Sequence, residues 1–325
     1  MLFLDGVGIG KNDPTVNPFF AARLPALRSL FSGELPSLRR RTLSSRTAVL
    51  VPLDTTLGVE GLPQSGTGQT ALFTGVNASK LIGKHFGPHP YSTLKPVIQE
   101  HNIFKKLLDS GQSVHFANAF PQRFFDYINQ HKSRMTVTTL SCTMSEVPLQ
   151  NADDLRQGRG ISADITNEGW KDLGYPDIAP IEPAEAGRRL AHLSSMFDFV
   201  LFEYWKTDHA GHSQNMDEAV EVLERFDAML IGIIEGLSSS DTLLLITSDH
   251  GNIEDMRSKS HTRNPVPCIL YGHRHTEFAE RLHDFQRNRT RTKMSDLTRI
   301  TPTLLEFIGA RHAVERTASI QMSRH

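Results

Sequence analysis

Cysteine is almost absent. The 325 residues contain two, Cys142 and Cys268, and neither belongs to a C-x-x-C pair. That excludes a disulfide framework and leaves too little sulfur for a thiolate metal site, and a reducing compartment fits best. Excess charge is missing too: 35 Lys and Arg stand against 36 Asp and Glu, a net charge of −1. This balance argues against a nucleic-acid partner held by bulk positive potential. No apolar run approaches the ~18 residues of a membrane span. Met1-Leu2-Phe3-Leu4-Asp5 has no basic segment ahead of its short apolar run, unlike a signal peptide. The expectation is a cytoplasmic protein with no membrane partner. Repeats of solenoid length and low-complexity tracts are also lacking. What is there is ordinary globular composition, 38% hydrophobic and 22% charged. A chain this long buries about three quarters of its unfolded surface and needs no staple.

Short apolar runs alternate with longer amphipathic stretches. Leu2–Leu4, Ala48–Leu53, Ser113–Ala117, Phe197–Glu203, Thr242–Thr247 and Val266–Tyr271 read as strands. Most are continuous rather than alternating, as in strands covered on both faces. Met216–Leu237 gathers Val220, Leu223, Phe226, Met229 and Leu230 largely on one helical stripe. Asp296–Ile308 opens on an acid and closes before Gly309, a second helix. The alternation predicts one α/β domain over residues 1–325, with a mostly parallel central sheet flanked by helices. The stretch 121–183, rich in Asn, Asp, Arg, Gly and Pro, reads as a small inserted cap or as a long surface loop. Arg287–Lys293, with its run of basic residues, reads as a solvated linker.

The chemistry lies in where Asp and His fall. Asp5-Gly6 ends the first strand, Asp208-His209-Ala210-Gly211-His212 follows the fourth, and Ser248-Asp249-His250-Gly251-Asn252 follows the fifth. His261 stands in the loop before Val266–Tyr271. Taken singly, each has an ordinary structural use: an Asp after a strand caps a turn, and a single His is more often surface or core than ligand. Taken together, they gather at the strand ends where open α/β sheets bind ligands. Carboxylate and imidazole without thiolate suit zinc, manganese or iron. Gln64-Ser65-Gly66-Thr67-Gly68-Gln69 then opens an apolar segment. It is either a helix cap or a turn that exposes a hydroxyl beside a helix N-terminus.

In combination these motifs resemble the alkaline phosphatase superfamily, in the branch holding cofactor-independent phosphoglycerate mutase and phosphopentomutase. The residues carrying the resemblance are Leu4-Asp5-Gly6, Ser65 three before Gly68, Asp208-x-x-Gly211-His212, Asp249-His250-Gly251-Asn252 and His261-Thr262-x-x-Pro265-Val266-Pro267, in the family's order. The resemblance implies two divalent metal ions, manganese or zinc ahead of magnesium. Asp208, His212 and His261 would hold one; Asp5, Asp249, His250 and the oxygen of Ser65 would hold the other. It further implies Ser65 as nucleophile toward a small phosphorylated substrate, through a phosphoserine that passes its phosphoryl group to water or to another hydroxyl. Thr67 is the alternative nucleophile. Lys84 is the leading candidate for contacting phosphate oxygens, against the plain alternative of an exposed lysine. Arg123, Arg134, Arg156 and Arg159 lie in the possible cap, and His209 is either a neighbour of the ligands or inert. The chain departs from the mutases in two ways. Gln69 stands where they carry His, which removes a proton acceptor. The stretch between Ser65 and Asp208 is also too short for their large substrate domain. The expected function is therefore a metal-dependent phosphatase or phosphomutase, leaning to net hydrolysis. The alternatives are a phosphodiesterase or phosphonate hydrolase of the same superfamily and a non-catalytic metal-binding protein. A sulfatase is weaker, since Ser65 lacks the C/S-x-P-x-R context.

Overall fold

In the computed structural model, residues 1–130, 134–287 and 294–309 are described, the side chains of 283–287 excepted. Among the described residues there are nine strands: β1 (Leu2–Leu4), β2 (Leu43–Ser44), β3 (Ala48–Leu53), β4 (Val114–Phe116), β5 (Asn118–Ala119), β6 (Ile161–Ser162), β7 (Phe199–Tyr204), β8 (Leu243–Thr247) and β9 (Val266–Gly272). Seven form the central sheet in the order β2-β3-β9-β8-β1-β7-β4, while β5 and β6 pair apart from it. The fold is α/β with a mixed sheet. β4, β7, β1 and β8 pair in parallel, whereas β9 runs antiparallel to both β8 and β3.

The continuous apolar runs become central strands because both faces are covered. All six residues of β7 and all three of β1 are buried. Alternate side chains feed opposite layers, the period-two consequence of the pleat. Leu2, Leu4, Phe202 and Ile246 join a cluster with Leu190, Leu223, Phe226 and Leu230 from the helices Pro183–Met196 and Met216–Gly236. Phe3, Leu201, Leu245 and Leu270 join the other, with Leu72, Ile98, Phe104 and Leu140. Each such side chain contributes roughly 1.5–3 kcal/mol on burial.

The helix Ser65–Thr74 is buried along its whole length and ends at Gly75, whose φ of 75° is left-handed. A side chain at Gly75 would meet Pro302 and the Thr298 carbonyl. A helix buried on every side has no amphipathic stripe, so this element sits inside the second layer with its first residue at the sheet's edge. Asp296 caps a short turn, Leu297–Arg299, as its acid suggested. The helix that follows continues through residue 309 rather than closing before it. Residues 288–293, most of the basic Arg287–Lys293 segment, lie outside the described residues.

The stretch 121–183 divides. Helix Gln122–Gln130 buries no side chain. Helix Val137–Met144 returns to the second cluster through Val137, Leu140 and Cys142. Farther on, Ala152, Leu155, Trp170 and Ile178 form a small cluster of their own with Ala119. Among the described residues no helix is long and apolar enough to cross a membrane.

Candidate metal centre

Asp5, Asp208, His212, Asp249, His250 and His261 arrive at one edge of the sheet. β1, β7 and β8 are parallel and deliver Asp5, Asp208, Asp249 and His250 just beyond their carboxyl ends. His261 precedes its strand, yet the reversed direction of β9 puts that entrance at the same edge. Asp208 and His212 lie one turn apart on the helix Lys206–Ser213 and therefore share a face.

Two groups result. Ligand atoms of Asp208, His212 and His261 lie within 4.8 Å of one another, and so do those of Asp5, Asp249 and His250. They adjoin: the rings of His250 and His261 stack at 3.8 Å and 14°. Gly6, at φ 70°, permits the approach of the two loops, since a Cβ there would sit 2.5 Å from Asp208 Oδ1.

In the first group the tautomers are set by backbone acceptors. His212 Nδ1 donates to the Lys259 carbonyl at 2.8 Å, and His261 Nδ1 donates to the Pro63 carbonyl at 2.7 Å. Each ring then presents a lone pair at Nε2, and the two Nε2 atoms face each other at 3.2 Å. Asp208 Oδ2 lies 3.2 Å from His212 Nε2. Two facing lone pairs beside a carboxylate ask for a cation between them, and imidazoles oriented by carbonyls through the far nitrogen are the usual preparation for one. Asn252 Nδ2 donates to Asp208 Oδ1 at 2.7 Å and fixes that carboxylate.

The second group is fully buried around His250. Its Nε2 lies 2.9 Å from Ser65 Oγ, 3.2 Å from Asp5 Oδ1 and 3.5 Å from Asp249 Oδ2. One ring nitrogen cannot serve three oxygens, and Asp5 Oδ1 and Asp249 Oδ2 are left as buried acceptors without a hydrogen bond. Such orphaned oxygens are costly unless a cation satisfies them. The donor set of carboxylate, imidazole and hydroxyl fits a divalent metal.

Protonation follows from this crowding. Burial and then the neighbouring Asp5 raise Asp249 well above the carboxylate range, and burial also raises Asp5. Burial opposes charge on His250, but Asp249, Asp5 and Asp208 outweigh it and push the ring up to about 10. His261 goes the other way, to about 4, through burial and the charge of His250. Burial works against charge on Asp208, yet the His212 hydrogen bond and its other partners prevail and hold it below its ordinary value.

Ser65 is the first residue of its helix and 6% exposed. Thr67 is engaged elsewhere: its hydroxyl donates to the Gln64 carbonyl at 3.1 Å and accepts from Phe86 N at 3.2 Å. Gln69 is buried with Nε2 at 3.4 Å from Asp5 Oδ2, and its Oε1 has no partner. The Lys84 ammonium lies over the rings of Phe86 and Tyr91 at 5.6 and 5.2 Å. It lines an open cleft of about 490 Å³ with Gln64, the residue before Ser65. His209 faces Glu218 at 3.4 Å, away from both groups. Arg156 and Arg159 pair with Asp177, Asp153 and Asp154, while Arg123 and Arg134 are exposed. Cys142 and Cys268 sit in the second apolar cluster, where burial raises both thiols. Sequence reasoning gave no role to Ser248, whose Oγ accepts from Val7 N at 2.9 Å and donates to the His250 carbonyl at 3.0 Å. Its position beside Asp249 was the only signal.

Residues 183–312 match the family described as the Metalloenzyme superfamily. The 2,3-bisphosphoglycerate-independent phosphoglycerate mutase of Thiobacillus denitrificans is 30% identical over 142 residues, 41% of this chain and 25% of the mutase. Phosphoglycerate mutase 2 of Methanosarcina acetivorans is 32% identical over 123 residues, 36% of this chain and 21% of that protein. The chain thus spans a quarter or less of the length of these relatives. Among solved structures, the PH0037 protein of Pyrococcus horikoshii aligns with a TM-score of 0.49 at 13% identity, covering 83% of this chain and 84% of that one. The alkaline phosphatase of the Antarctic bacterium TAB5 aligns with a TM-score of 0.43 at 12% identity, covering 95% and 97%.

Proposed function

We propose, for a chain that carries a Metalloenzyme superfamily domain over residues 183–312, that it transfers phosphoryl groups from a small phosphorylated metabolite through Ser65. The observation that carries this reading is the convergence of the Ser65 hydroxyl with Asp5, Asp249 and His250 at one buried point. Asp208, His212 and His261 would hold one divalent ion; Asp5, Asp249, His250 and Ser65 would hold a second. Zinc and manganese suit these donors better than magnesium. When bound, such ions neutralise phosphate oxygens and ease ionisation of a hydroxyl.

The chain's own contribution is position. Ser65 Oγ forms a bond to phosphorus as the bond to the ester oxygen breaks, and the alcohol leaves with the serine proton. Water or a second hydroxyl then takes the phosphoryl group from Ser65. Lys84, on the cleft beside Gln64, is proposed to meet phosphate oxygens turned away from the ligand groups. Helix Gln122–Gln130 and the small cluster around Trp170 are proposed as the cover over the substrate. Net hydrolysis is the preferred outcome, because so small a cover excludes water poorly and Gln69 offers no imidazole. Isomerisation is the second reading, supported by relatives that are named as mutases.

The test is a panel of phosphorylated metabolites with Mn²⁺, Zn²⁺ or Mg²⁺, in which free phosphate and positional isomer are both measured. Metal-dependent turnover that falls by roughly 10³-fold or more in Ser65→Ala supports the reading. Turnover unaffected by that substitution overturns it.

A further inference from the structure

The carboxylate of Glu254 takes no part in the chemistry above, yet it is 1% exposed and sits where three loops of the site meet. Its Oε2 accepts from Gly8 N at 2.9 Å and from Asn252 N at 2.8 Å. Its Oε1 accepts from Thr262 Oγ1 and from Asn264 Nδ2, the latter at 3.1 Å. Four donors therefore fill one carboxylate, and they come from three loops, that of Gly8 lying far away in sequence. Gly8 follows Asp5 out of β1, Asn252 follows Asp249 and His250 out of β8, and Thr262 follows His261 on the way into β9. The backbone is cut to fit: a Cβ at Gly8 or at Gly251 would lie 2.3 Å from Glu254 Oε1.

Building on the two-cation reading, we infer that Glu254 is a positioning residue that fixes the two ligand groups relative to one another. Its bonds reach both. Gly8 and Asn252 belong to the loops of Asp5, Asp249 and His250. Thr262 adjoins His261, and Asn252 itself holds the Asp208 carboxylate. Charge-assisted hydrogen bonds in a buried site are the strong kind. Removing this acceptor takes four hydrogen bonds from the junction of the three loops, leaving there backbone bonds such as Ile253 N to the Gly6 carbonyl and Thr262 N to the Gly251 carbonyl. It also leaves two backbone N–H groups buried without the carboxylate they donate to.

The variants separate bracing from charge. Glu254→Ala deletes the brace. Glu254→Gln keeps its length: the amide oxygen still accepts from the Gly8 and Asn252 N–H groups. Its NH₂ meets Thr262, whose hydroxyl can turn and accept, and Asn264, whose amide can flip. Glu254→Asp keeps the charge but is one methylene too short to reach all four donors.

The measurement is calorimetric titration of Mn²⁺ into the full chain after chelator treatment, beside thermal melts. Wild type is expected to bind Mn²⁺ at both groups. Glu254→Ala should bind it about 10- to 100-fold more weakly at both, the range that follows loss of a supporting residue around a metal site. Glu254→Gln should stay within about tenfold of wild type, ahead of Glu254→Asp. Wild-type affinity in Glu254→Ala, with only a lowered Tm, would overturn the inference and leave the metal groups standing. If Glu254→Ala does not fold, the other two variants decide: tighter binding by Glu254→Asp than by Glu254→Gln makes charge, not bracing, the cause and overturns the inference. A wild type that binds no divalent ion overturns the two-cation reading itself, and the inference with it.

Discussion

At Ser65 and Thr67 the choice of nucleophile turns on what each hydroxyl is already bonded to. Thr67 is occupied on both sides by backbone, joining the Gln64 carbonyl to the Phe86 N–H, whereas the Ser65 hydroxyl is bonded to the His250 ring nitrogen that Asp5 and Asp249 also approach. Thr67→Ala should therefore retain turnover while losing about 1–3 kcal/mol of stability through the freed Phe86 N–H, read as a fall in Tm with kcat little changed. Glu203 shows a different residue-scale effect. It is buried beneath the site, accepts from the Thr138 hydroxyl, and is pushed up to about 8 by burial, with the charge of Asp5 adding to the rise. Between about pH 4.5 and 8 the folded chain keeps this proton and the unfolded chain has lost it, so stability falls as pH rises through that window. Glu203→Gln should remove that part of the slope. Melts across the window would check it, with the gap in Tm between variant and wild type widening toward pH 8. The Asp and His residues of the two groups were legible because both residue types recur at the ends of apolar runs along the chain. Glu203, Ser248 and Glu254 were not, because each depends on a partner that only the fold brings near: Thr138, Val7 and Gly8 respectively.

Among the elements, the six longer apolar runs all became strands, since burial on both faces leaves a continuous hydrophobic signature. The direction of β9 carried no such mark. Its reversal depends on pairing between β3 and β8, a tertiary choice, and it is the reversal that turns a loop before a strand into part of the site. Residues 134–147 show the opposite lesson: polar neighbours obscured a helix that packs through Val137 and Leu140 into the main core. The helices Pro183–Met196 and Met216–Gly236 cross at backbone distance. A Cβ at Gly187 would lie 2.1 Å from the Met229 carbonyl oxygen, and one at Gly232 would lie 1.8 Å from that of Ala184. Alanine gains up to about 1 kcal/mol in helix propensity over glycine, but a main-chain carbonyl cannot swing aside. Gly232→Ala should accordingly cost a net ~1–3 kcal/mol as the helices separate, seen in denaturant midpoints, with Mn²⁺ affinity unchanged.

For the whole molecule, the near-neutral charge and the short stretch between Ser65 and Asp208 both bear on what the site can take. A net charge of −1 supplies no bulk positive potential for a polyanion, and under the proposed function a small phosphate ester would be met by the cleft beside Gln64 and Lys84. The outcome of the proposed reaction would depend on how well water is kept from a phosphorylated Ser65. With helix Gln122–Gln130 burying no side chain, free phosphate should exceed positional isomer once a substrate is in hand. Isomer accumulating with almost no phosphate would reverse that preference while leaving the ligand groups as assigned. The alternation of apolar runs with amphipathic stretches made the α/β class legible, and the placing of Asp and His made the two candidate cation groups legible; substrate shape was not, because it is set by how separate loops meet. The most direct measurement is acid quench of the metal-loaded chain during turnover, followed by peptide mass analysis. The account predicts the added mass of one phosphoryl group on the peptide holding Ser65, absent from Ser65→Ala. Turnover with no phosphorylated peptide in wild type, or with the phosphoryl group on another residue, would contradict it.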